Sequence, residues 1–379
     1  MGGAAALGVE LFAEDVLQLA GATPDSPLAE GALAYLRVRA AALPAALAGA
    51  VGVGAFRGAL DTRTPLRVAL AANALNATLD PLLIFGLPAL GVPAFGLGGA
   101  AAATAAAEYL AAGWFIVLLA ERELLDVGRV LSLGGLASWA TGNSDSKGGE
   151  AAGDEAGGLS EVLAGGGGQL LRTLSIQALL FEATASAASL DAETSAAAHQ
   201  CVLQVWYLSL FMLDALAVAA QGLVANELGR GNVAGARRVS NLILRMSLGF
   251  GGALALALGA TGVLLPGVFT EDEAVAAAAA QPLQLVAALQ PLNAVVFVGD
   301  GILQGAKDFG YVALAMGAST AAAGTALAAM GGSLLGVWQA IGVLQVSRAA
   351  SLSIRYWGGT GPLALPDGDA KEEAEGRPE

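Results

Sequence analysis

The chain has 379 residues, of which 56% are hydrophobic and 13% are charged, with a mean hydropathy of +0.65 and a formal net charge of −14. A soluble protein carries about 25% charged residues, so this composition excludes a soluble globule, and it is too apolar for disorder over most of the chain. Basic residues nowhere cluster densely enough to bind nucleic acid. One cysteine and one histidine exclude a disulfide framework and give no ligand cluster for a structural metal.

The chain contains a series of apolar windows, each of about the 20 residues that cross a bilayer. The nine predicted spans are 32–56, 66–87, 97–120, 170–190, 202–225, 242–266, 282–304, 312–330 and 333–356. Residues 1–20 hold a shorter apolar stretch, which we interpret as the tail of one more helix. Segments 141–168 and 366–379 are polar and acidic, and both are predicted to be disordered, one as a linker and one as a tail. The prediction is an all-α polytopic membrane protein.

The positions of the basic residues test this span count, because cytoplasmic loops collect Lys and Arg. When the loops are numbered alternately, every basic residue except Arg37 and Arg39 falls on one side. This asymmetry predicts that the linker and the C-terminus are cytosolic. Arg37 and Arg39 lie within the start of the first full span. They either snorkel to the outer interface or face an aqueous substrate cavity.

Two short segments repeat at a constant offset of 247 residues, FRGALDTRTP at 56–65 and LQGAKDFGYV at 303–312. The shared positions are Gly58/Gly305, Ala59/Ala306 and Asp61/Asp308. Each segment follows a predicted span on the basic side. The repeat therefore predicts two related halves joined by the linker.

Four glycines lie together at the end of the first full span, at Gly49, Gly52, Gly54 and Gly58. Their spacing is not that of a GxGxxG loop, and no strand precedes them, so a nucleotide site is excluded. Small residues in a membrane helix let neighbouring helices approach closely. We expect these glycines to serve that packing.

Several longer motifs occur in a fixed order along the chain. They are GAFRGALDTRTPLRVALAANALNATLDPLLIFG at 54–86, GLGGAAAAT at 96–104 and VANELGRGNVAGARRVS at 224–240. These resemble motifs of the multidrug and toxic compound extrusion (MATE) transporters. Segments 204–225 and 290–311 are similar to the plant branch that includes citrate exporters. The resemblance runs from residue 10 to about residue 360.

The family has twelve helices in two six-helix lobes, and the resemblance implies that this chain begins near the end of the third helix. The first two helices and most of the third are expected to be absent. We therefore expect the chain to consist of four parts. The first two are a partial N-lobe at 1–120, with the tail of the third helix and three spans, and a cytosolic, partly disordered linker at 121–169. The other two are a C-lobe of six helices at 170–357 and a disordered acidic tail at 358–379.

The resemblance implies a secondary active antiporter that exports an organic substrate, either a xenobiotic or an organic acid such as citrate, in exchange for H+ or Na+ by alternating access. It implies a monomer in the lipid bilayer, no enzymatic activity and no cofactor besides the coupling ion. The plasma membrane and an organelle membrane, of a chloroplast or a vacuole, both remain open. The alternatives are a lipid or polysaccharide-lipid flippase of the wider superfamily and an inactive truncated transporter.

The resemblance places Asn76, Asp80 and Thr104 in the family's N-lobe cation site. The chemistry of the residues agrees, because Asn76 and Asp80 are four apart on one helical face, and a carboxylate in lipid must be paired, protonated or bound to a cation. Pro81 leaves the Ala77 carbonyl without its helical donor. An Asn–Asp pair that only joins helices is the alternative. Glu108, one turn beyond Thr104, is either a local proton carrier or a polar contact between helices.

In the second half, the resemblance assigns possible ion or substrate residues at four positions. Glu182 resembles a helix-seven carboxylate of one bacterial branch, and Asp214 and Asp300 match plant-branch acids in helices eight and ten. Asp300 is close enough to the basic side to be interfacial. Asn293 stands where the bacterial branch has an Asp. An aspartyl protease using Asp214 and Asp300 is disfavoured, because FVGD at 297–300 lacks the first Gly of the GxGD pattern.

Overall fold

The computed structural model describes residues 2–11, 13–14, 29–87, 91, 93–125, 155–191, 193–262, 265–358 and 361–364. Helices account for most of these residues, and no β-strand occurs among them, which confirms the all-α prediction. The helices are α1 Gly2–Leu11, α2 Ala29–Gly58, α3 Arg63–Phe85, α4 Gly96–Glu121, α5 Glu155–Leu190, α6 Thr194–Gly229, α7 Val233–Thr261, α8 Pro266–Phe269, α9 Glu273–Ala288, α10 Gln290–Gly305, α11 Phe309–Met330 and α12 Leu334–Trp357.

Six of the described helices are long and apolar enough to cross a membrane, or up to seven if the bent pair α9 and α10 counts as one span. The six are α2, α3, α4, α6, α7 and α11. The predicted spans 170–190 and 333–356 coincide with α5 and, from Leu334 onward, with α12; these two helices are long enough to cross a membrane but are less apolar than the six. The chain is therefore a multi-pass membrane protein in which two of the nine predicted spans are less apolar than expected.

The predicted span 282–304 is not one straight helix. The chain breaks at Leu289, and α9 and α10 meet there at an angle of 54°. Pro291 lies in the first turn of α10 and has no backbone N–H, so it cannot continue the hydrogen-bond ladder of α9. The residue before a proline is also pushed away from helical geometry, which favours the break.

The chain divides into two compact units, Met1–Lys147 and Gly148–Glu379. In the first unit, α4 packs against both α2 and α3, and α1 packs against α2. Phe56, Val68, Phe115 and Leu119 form its buried apolar cluster. A side chain on Gly52 would collide with the Phe115 ring, as expected for close packing. At Gly49, Gly54 and Gly58 a side chain would meet no described atom within 4 Å, so for these three glycines close packing stays a prediction.

In the second unit, α6 packs against α7, α9 and α10, while α11 packs against α5 and α12. The largest buried cluster contains residues of α5, α6, α9, α10, α11 and α12, with Trp206 and Trp338 among them. The backbones of α6 and α10 approach closely where Gly301 and Gly305 meet the Ala217 and Gln221 carbonyls. This contact is of the small-residue type, in which glycines four apart let two membrane helices touch.

Two parts of the predicted disorder are helical or packed instead. Helix α5 begins at Glu155, inside the predicted linker at 121–169, and Gln169 Nε2 donates to Gln304 Oε1 at 2.6 Å. In the predicted tail at 358–379, Leu363 is buried and its carbonyl accepts a hydrogen bond from Arg237 Nη1 at 3.0 Å. Packing against α10 and α7 orders these polar sequences. The rest of both predictions, at 126–154 and 365–379, lies outside the described residues.

The two repeated segments share one backbone geometry. Leu60 and Lys307, 247 residues apart, have positive φ values of 58° and 59°. The next residue in each segment closes the same turn, since Asp61 N–H donates to the Phe56 carbonyl and Asp308 N–H to the Leu303 carbonyl, both at 2.9 Å. Each aspartate also binds an arginine at the end of a later helix. Arg122 Nη2 is 2.8 Å from Asp61 Oδ2, and Arg355 Nε is 2.7 Å from Asp308 Oδ2.

Asp61 also caps α3. Its Oδ1 accepts from the backbone N–H groups of Arg63 and Thr64, at 3.1 and 3.0 Å, and its Oδ2 accepts from the Thr64 hydroxyl at 2.7 Å. The Thr64 hydrogen bonds, with the Arg122 guanidinium as a smaller contribution, lower the pKa of Asp61 to about 2. The carboxylate is therefore charged at neutral pH and fixes the start of the helix that carries Asn76 and Asp80.

Candidate functional site

In the first unit, Asn76 of α3 lies between Asp80 and Thr104. In one orientation of the Asn76 amide, Nδ2 is 3.4 Å from Thr104 Oγ1, and the amide oxygen faces the Asp80 carboxylate. With the amide turned over, Nδ2 donates to Asp80 Oδ2 at 3.2 Å and Oδ1 accepts from the Thr104 backbone N–H at 3.3 Å. We adopt this second orientation because it removes the contact between two acceptors. The three residues of the predicted cation site are thus in contact.

Helices α3 and α4 are held close enough for this contact by Gly99. A side chain at that position would collide with the Leu83 carbonyl on α3. Thr104 lies just over one turn further along α4, and its hydroxyl donates to the Ala100 carbonyl at 3.0 Å. That proton is used within the helix, so the hydroxyl oxygen keeps lone pairs with which it can act as a ligand.

Glu108 does not join Asp80, although it follows Thr104 on α4. It forms a bidentate ion pair with Arg39 of α2, with both N···O distances 2.8 Å. A carboxylate engaged in this way is neutralised by a fixed cation, which favours the interhelical contact, and the role of Glu108 as a proton carrier stays a prediction. Arg39 therefore has a charged partner on α4, and its assignment to a substrate cavity stays a prediction. Arg37 pairs with Glu10 of α1 at 3.2 Å, with both side chains about half exposed.

In the second unit, Asp300 of α10 is the centre of a buried polar cluster. Its Oδ2 accepts hydrogen bonds from Arg172 of α5 at 2.7 Å and from Arg348 of α12 at 2.6 Å. Asp300 is 4% exposed and Arg348 is 2% exposed. Packing of three helices therefore encloses Asp300 with two guanidinium groups, while its location near the membrane interface stays a prediction.

The cluster continues towards the break between α9 and α10. Arg348 Nη1 donates to Gln345 Oε1 at 2.8 Å, and Gln345 Nε2 donates to Asn293 Oδ1 at 2.6 Å. Gln345 and Asn293 are both buried. The predicted residues Asn293 and Asp300 thus belong to one network, which we call the arginine cluster and define as Arg172, Asn293, Asp300, Gln345 and Arg348.

Glu182 and Asp214 lie apart from the arginine cluster. Both side chains are on exposed helix surfaces, Glu182 on α5 and Asp214 on α6. Neither has a hydrogen-bond or ion-pair partner within the described part of the chain. Their assignment as ion or substrate residues stays a prediction, and the exposed Asp214 does not approach Asp300 as a protease pair would require.

Sequence reasoning missed Arg172, Gln345 and Arg348 as site residues. Arg172 and Arg348 were counted only among the basic residues on one side of the membrane. Arg348 lies well inside the predicted span 333–356, and a charge at such depth is a signal of a buried partner. The partner itself is 48 residues away in sequence and is set by packing.

Comparison with known proteins gives three consistent findings. The MatE family model matches residues 1–82 and 171–330. Protein DETOXIFICATION 44, chloroplastic, of Arabidopsis thaliana is 34% identical over 83% of this chain, and Protein DETOXIFICATION 43 of the same plant is 32% identical over 92%. The chain spans only 55% and 60% of the length of these two relatives.

Solved structures share the fold at low identity. The crystal structure of MATE in complex with MaL6 superposes with a TM-score of 0.77 at 18% identity, covering 94% of this chain and 75% of that one. The outward-facing conformation of a multidrug resistance MATE family transporter superposes with a TM-score of 0.75 at 17% identity, covering 93% and 73%. These likenesses bear on the fold alone.

Proposed function

This chain belongs to the MatE family of transporters, and from that premise we propose that it is a secondary antiporter exporting an organic substrate in exchange for H+ or Na+. The family consists of transporters and not of enzymes, and the apolar helices make the protein a multi-pass membrane protein. The coupling ion and the direction of transport are part of the proposal.

The contact of Asn76 with both Asp80 and Thr104 carries the proposal. Asp80 is a partly buried carboxylate on an apolar helix, and no cationic side chain binds it among the described residues. Such a carboxylate must be stabilised by a proton or a bound cation when it lies in the membrane. Oxygen ligands suit a hard cation, and the Thr104 hydroxyl and the Ala77 carbonyl freed by Pro81 are further candidates on these two helices.

Glu108 provides an internal contrast. Its charge is balanced by Arg39, whereas that of Asp80 is balanced by no side chain described. An ion that binds Asp80 more tightly in one conformation than in the other shifts the balance between inward-open and outward-open states. Release of the substrate on the far side is then driven by entry of the ion.

The names of the relatives support an organic substrate. The plant proteins are named for detoxification, and a Bradyrhizobium diazoefficiens protein that is 27% identical is named as a probable multidrug resistance protein. The word chloroplastic in one name favours an organelle membrane. The segregation of basic residues supports a cytosolic location for the linker and the C-terminus. A monomer is the simplest assembly for transport through a single pair of lobes.

The test is efflux of a fluorescent organic cation and of radiolabelled citrate from proteoliposomes with an imposed H+ or Na+ gradient. Asp80→Asn should abolish gradient-driven efflux of whichever substrate the wild type exports. Thr78→Ala is the matched control on α3, because its exposed hydroxyl bonds only to the Ala74 carbonyl of its own helix. Unchanged efflux by Asp80→Asn, or lipid scrambling that ignores both gradients, would overturn the proposal.

A further inference from the structure

We propose that the arginine cluster of the second unit binds a carboxylate group of an organic anion. This inference deepens the proposed export function and rests on it for its physiological role, since it names the substrate class. The binding itself is a property of the second unit and is measured without transport.

The first argument is charge. Arg172 and Arg348 share one oxygen of a single carboxylate, so the cluster carries one positive charge in excess. Asp300 balances only one of the two guanidinium charges, and a surplus charge in a cluster as buried as Arg348, which is 2% exposed, is costly because it has lost water. No second acid binds either arginine in the described part of the unit. A ligand with a negative charge would complete the balance.

The second argument is the direction of the hydrogen bonds. Donation runs from Arg348 to Gln345 and from Gln345 to Asn293, so the series ends on the Asn293 amide group. Asn293 Nδ2 is buried and has no acceptor. The Nε groups of Arg172 and Arg348 are also buried and also have no acceptor. All three buried atoms are donors.

A surplus of donors identifies the chemistry of the ligand. A carboxylate offers only acceptor oxygens, which match guanidinium and amide N–H groups. An organic cation or a metal ion would be repelled by the excess positive charge. A neutral solute with carbonyl groups would satisfy the donors but leave the charge unbalanced.

The position in the fold agrees with this assignment. Asn293 lies in the first turn of α10, just after the break at Leu289, and the N-terminus of a helix carries a partial positive charge. Broken helices with their N-termini at an anionic substrate group are a known arrangement in transporters. The Arg172 side chain is 21% exposed, whereas that of Arg348 is 3% exposed, so access is from the Arg172 side.

The experiment is titration of the purified full chain in detergent with citrate, and separately with tetraphenylphosphonium, by isothermal titration calorimetry. Citrate should bind, and Arg172→Gln should weaken it by about tenfold or more, because a charge-assisted hydrogen bond and the excess charge are lost. The matched control is Arg355→Gln, which removes an arginine from the same α12 face two turns from Arg348 and breaks a different ion pair. It should keep the wild-type affinity.

Asp300→Asn separates a ligand site from a purely structural cluster. Removing the internal carboxylate leaves both guanidinium groups for the ligand, so citrate should bind more tightly than to the wild type. If this variant does not fold, Arg172→Gln decides the matter, since its partly exposed side chain is easier to replace. Absence of citrate binding to the wild type, or equal affinity in Arg172→Gln, would overturn the inference.

The two proposals fail in different ways. Citrate binding that survives in a protein without gradient-driven efflux supports the anion site and contradicts the antiporter. Gradient-driven efflux of tetraphenylphosphonium by a protein that does not bind citrate supports the antiporter and contradicts the anion site.

Discussion

Arg39 and Glu108 form a bidentate ion pair that joins α2 to α4, with both N···O distances 2.8 Å. The two side chains are about a quarter exposed. This pair lies one turn from Thr104 on α4, whereas Asp80 has no cationic partner among the described residues. Of the two acids predicted for the first-unit site, one thus has a structural role and one is available for coupling.

Glu108→Gln tests this division. The substitution should destabilise the first unit by about 1–3 kcal/mol, because it leaves Arg39 without its charged partner in a partly buried site. Gradient-driven efflux should persist at a permissive temperature. Thermal unfolding in detergent and vesicle efflux measure the two effects, with Arg37→Gln, in a half-exposed pair, as a control that should change stability by less than about 1 kcal/mol. Loss of coupling without loss of stability would make Glu108 a proton carrier after all.

Acid should weaken the α3 cap through Asp61. Its pKa is about 2 in the folded protein, below the usual value of about 3.9, so the carboxylate stabilises the fold above that usual value. This contribution should be lost as the pH falls from about 4 towards 2. Melting temperatures over that range should fall less steeply for Asp61→Asn than for the wild type. Glu121→Gln, at an exposed position ending α4, should keep the wild-type slope; equal slopes for all three proteins would contradict the cap.

Gly301→Ala should destabilise the second unit by about 1–3 kcal/mol, because the added methyl group would collide with the backbone of Ala217 where α6 meets α10. Gly317→Ala is the control, since a side chain there meets no atom within 4 Å. Alanine also has the higher helix propensity, so the control should be neutral or slightly stabilising. Equilibrium unfolding of the purified chain measures both. Equal effects of the two substitutions would exclude the close contact.

Leu363→Ala should lower the melting temperature, because the side chain is 2% exposed against a cluster formed by α6, α7, α10 and α12. The cost should be about 1–3 kcal/mol, less than in a central core, since a chain segment near the end of the helices can adjust. Leu314→Ala, at a side chain that is 72% exposed, is the control for loss of the same group. A neutral Leu363→Ala would mean that residues 361–364 do not contribute to stability.

The sequence determined most of the helices and the first-unit site. Apolar runs of bilayer length located them because hydropathy is a local property, and spacing of four residues put Asn76 and Asp80 on one face of α3. Motifs in a fixed order identified the family and added Thr104 as their partner. The recurrence of the Asp61 turn at Asp308 was also visible in the sequence, since a turn is fixed by a few neighbouring residues.

The tertiary structure decided which charges are paired. Glu108 meets Arg39 across 69 residues, and Asp300 meets Arg172 and Arg348 across 128 and 48 residues. These contacts depend on which helix faces pack together, and a single sequence does not report that. The same is true of the bend at Leu289, where two half-helices are oriented by neighbours. Packing therefore placed Arg172 and Arg348, which the sequence had shown only as basic residues on one side of the membrane, at the centre of the proposed anion site.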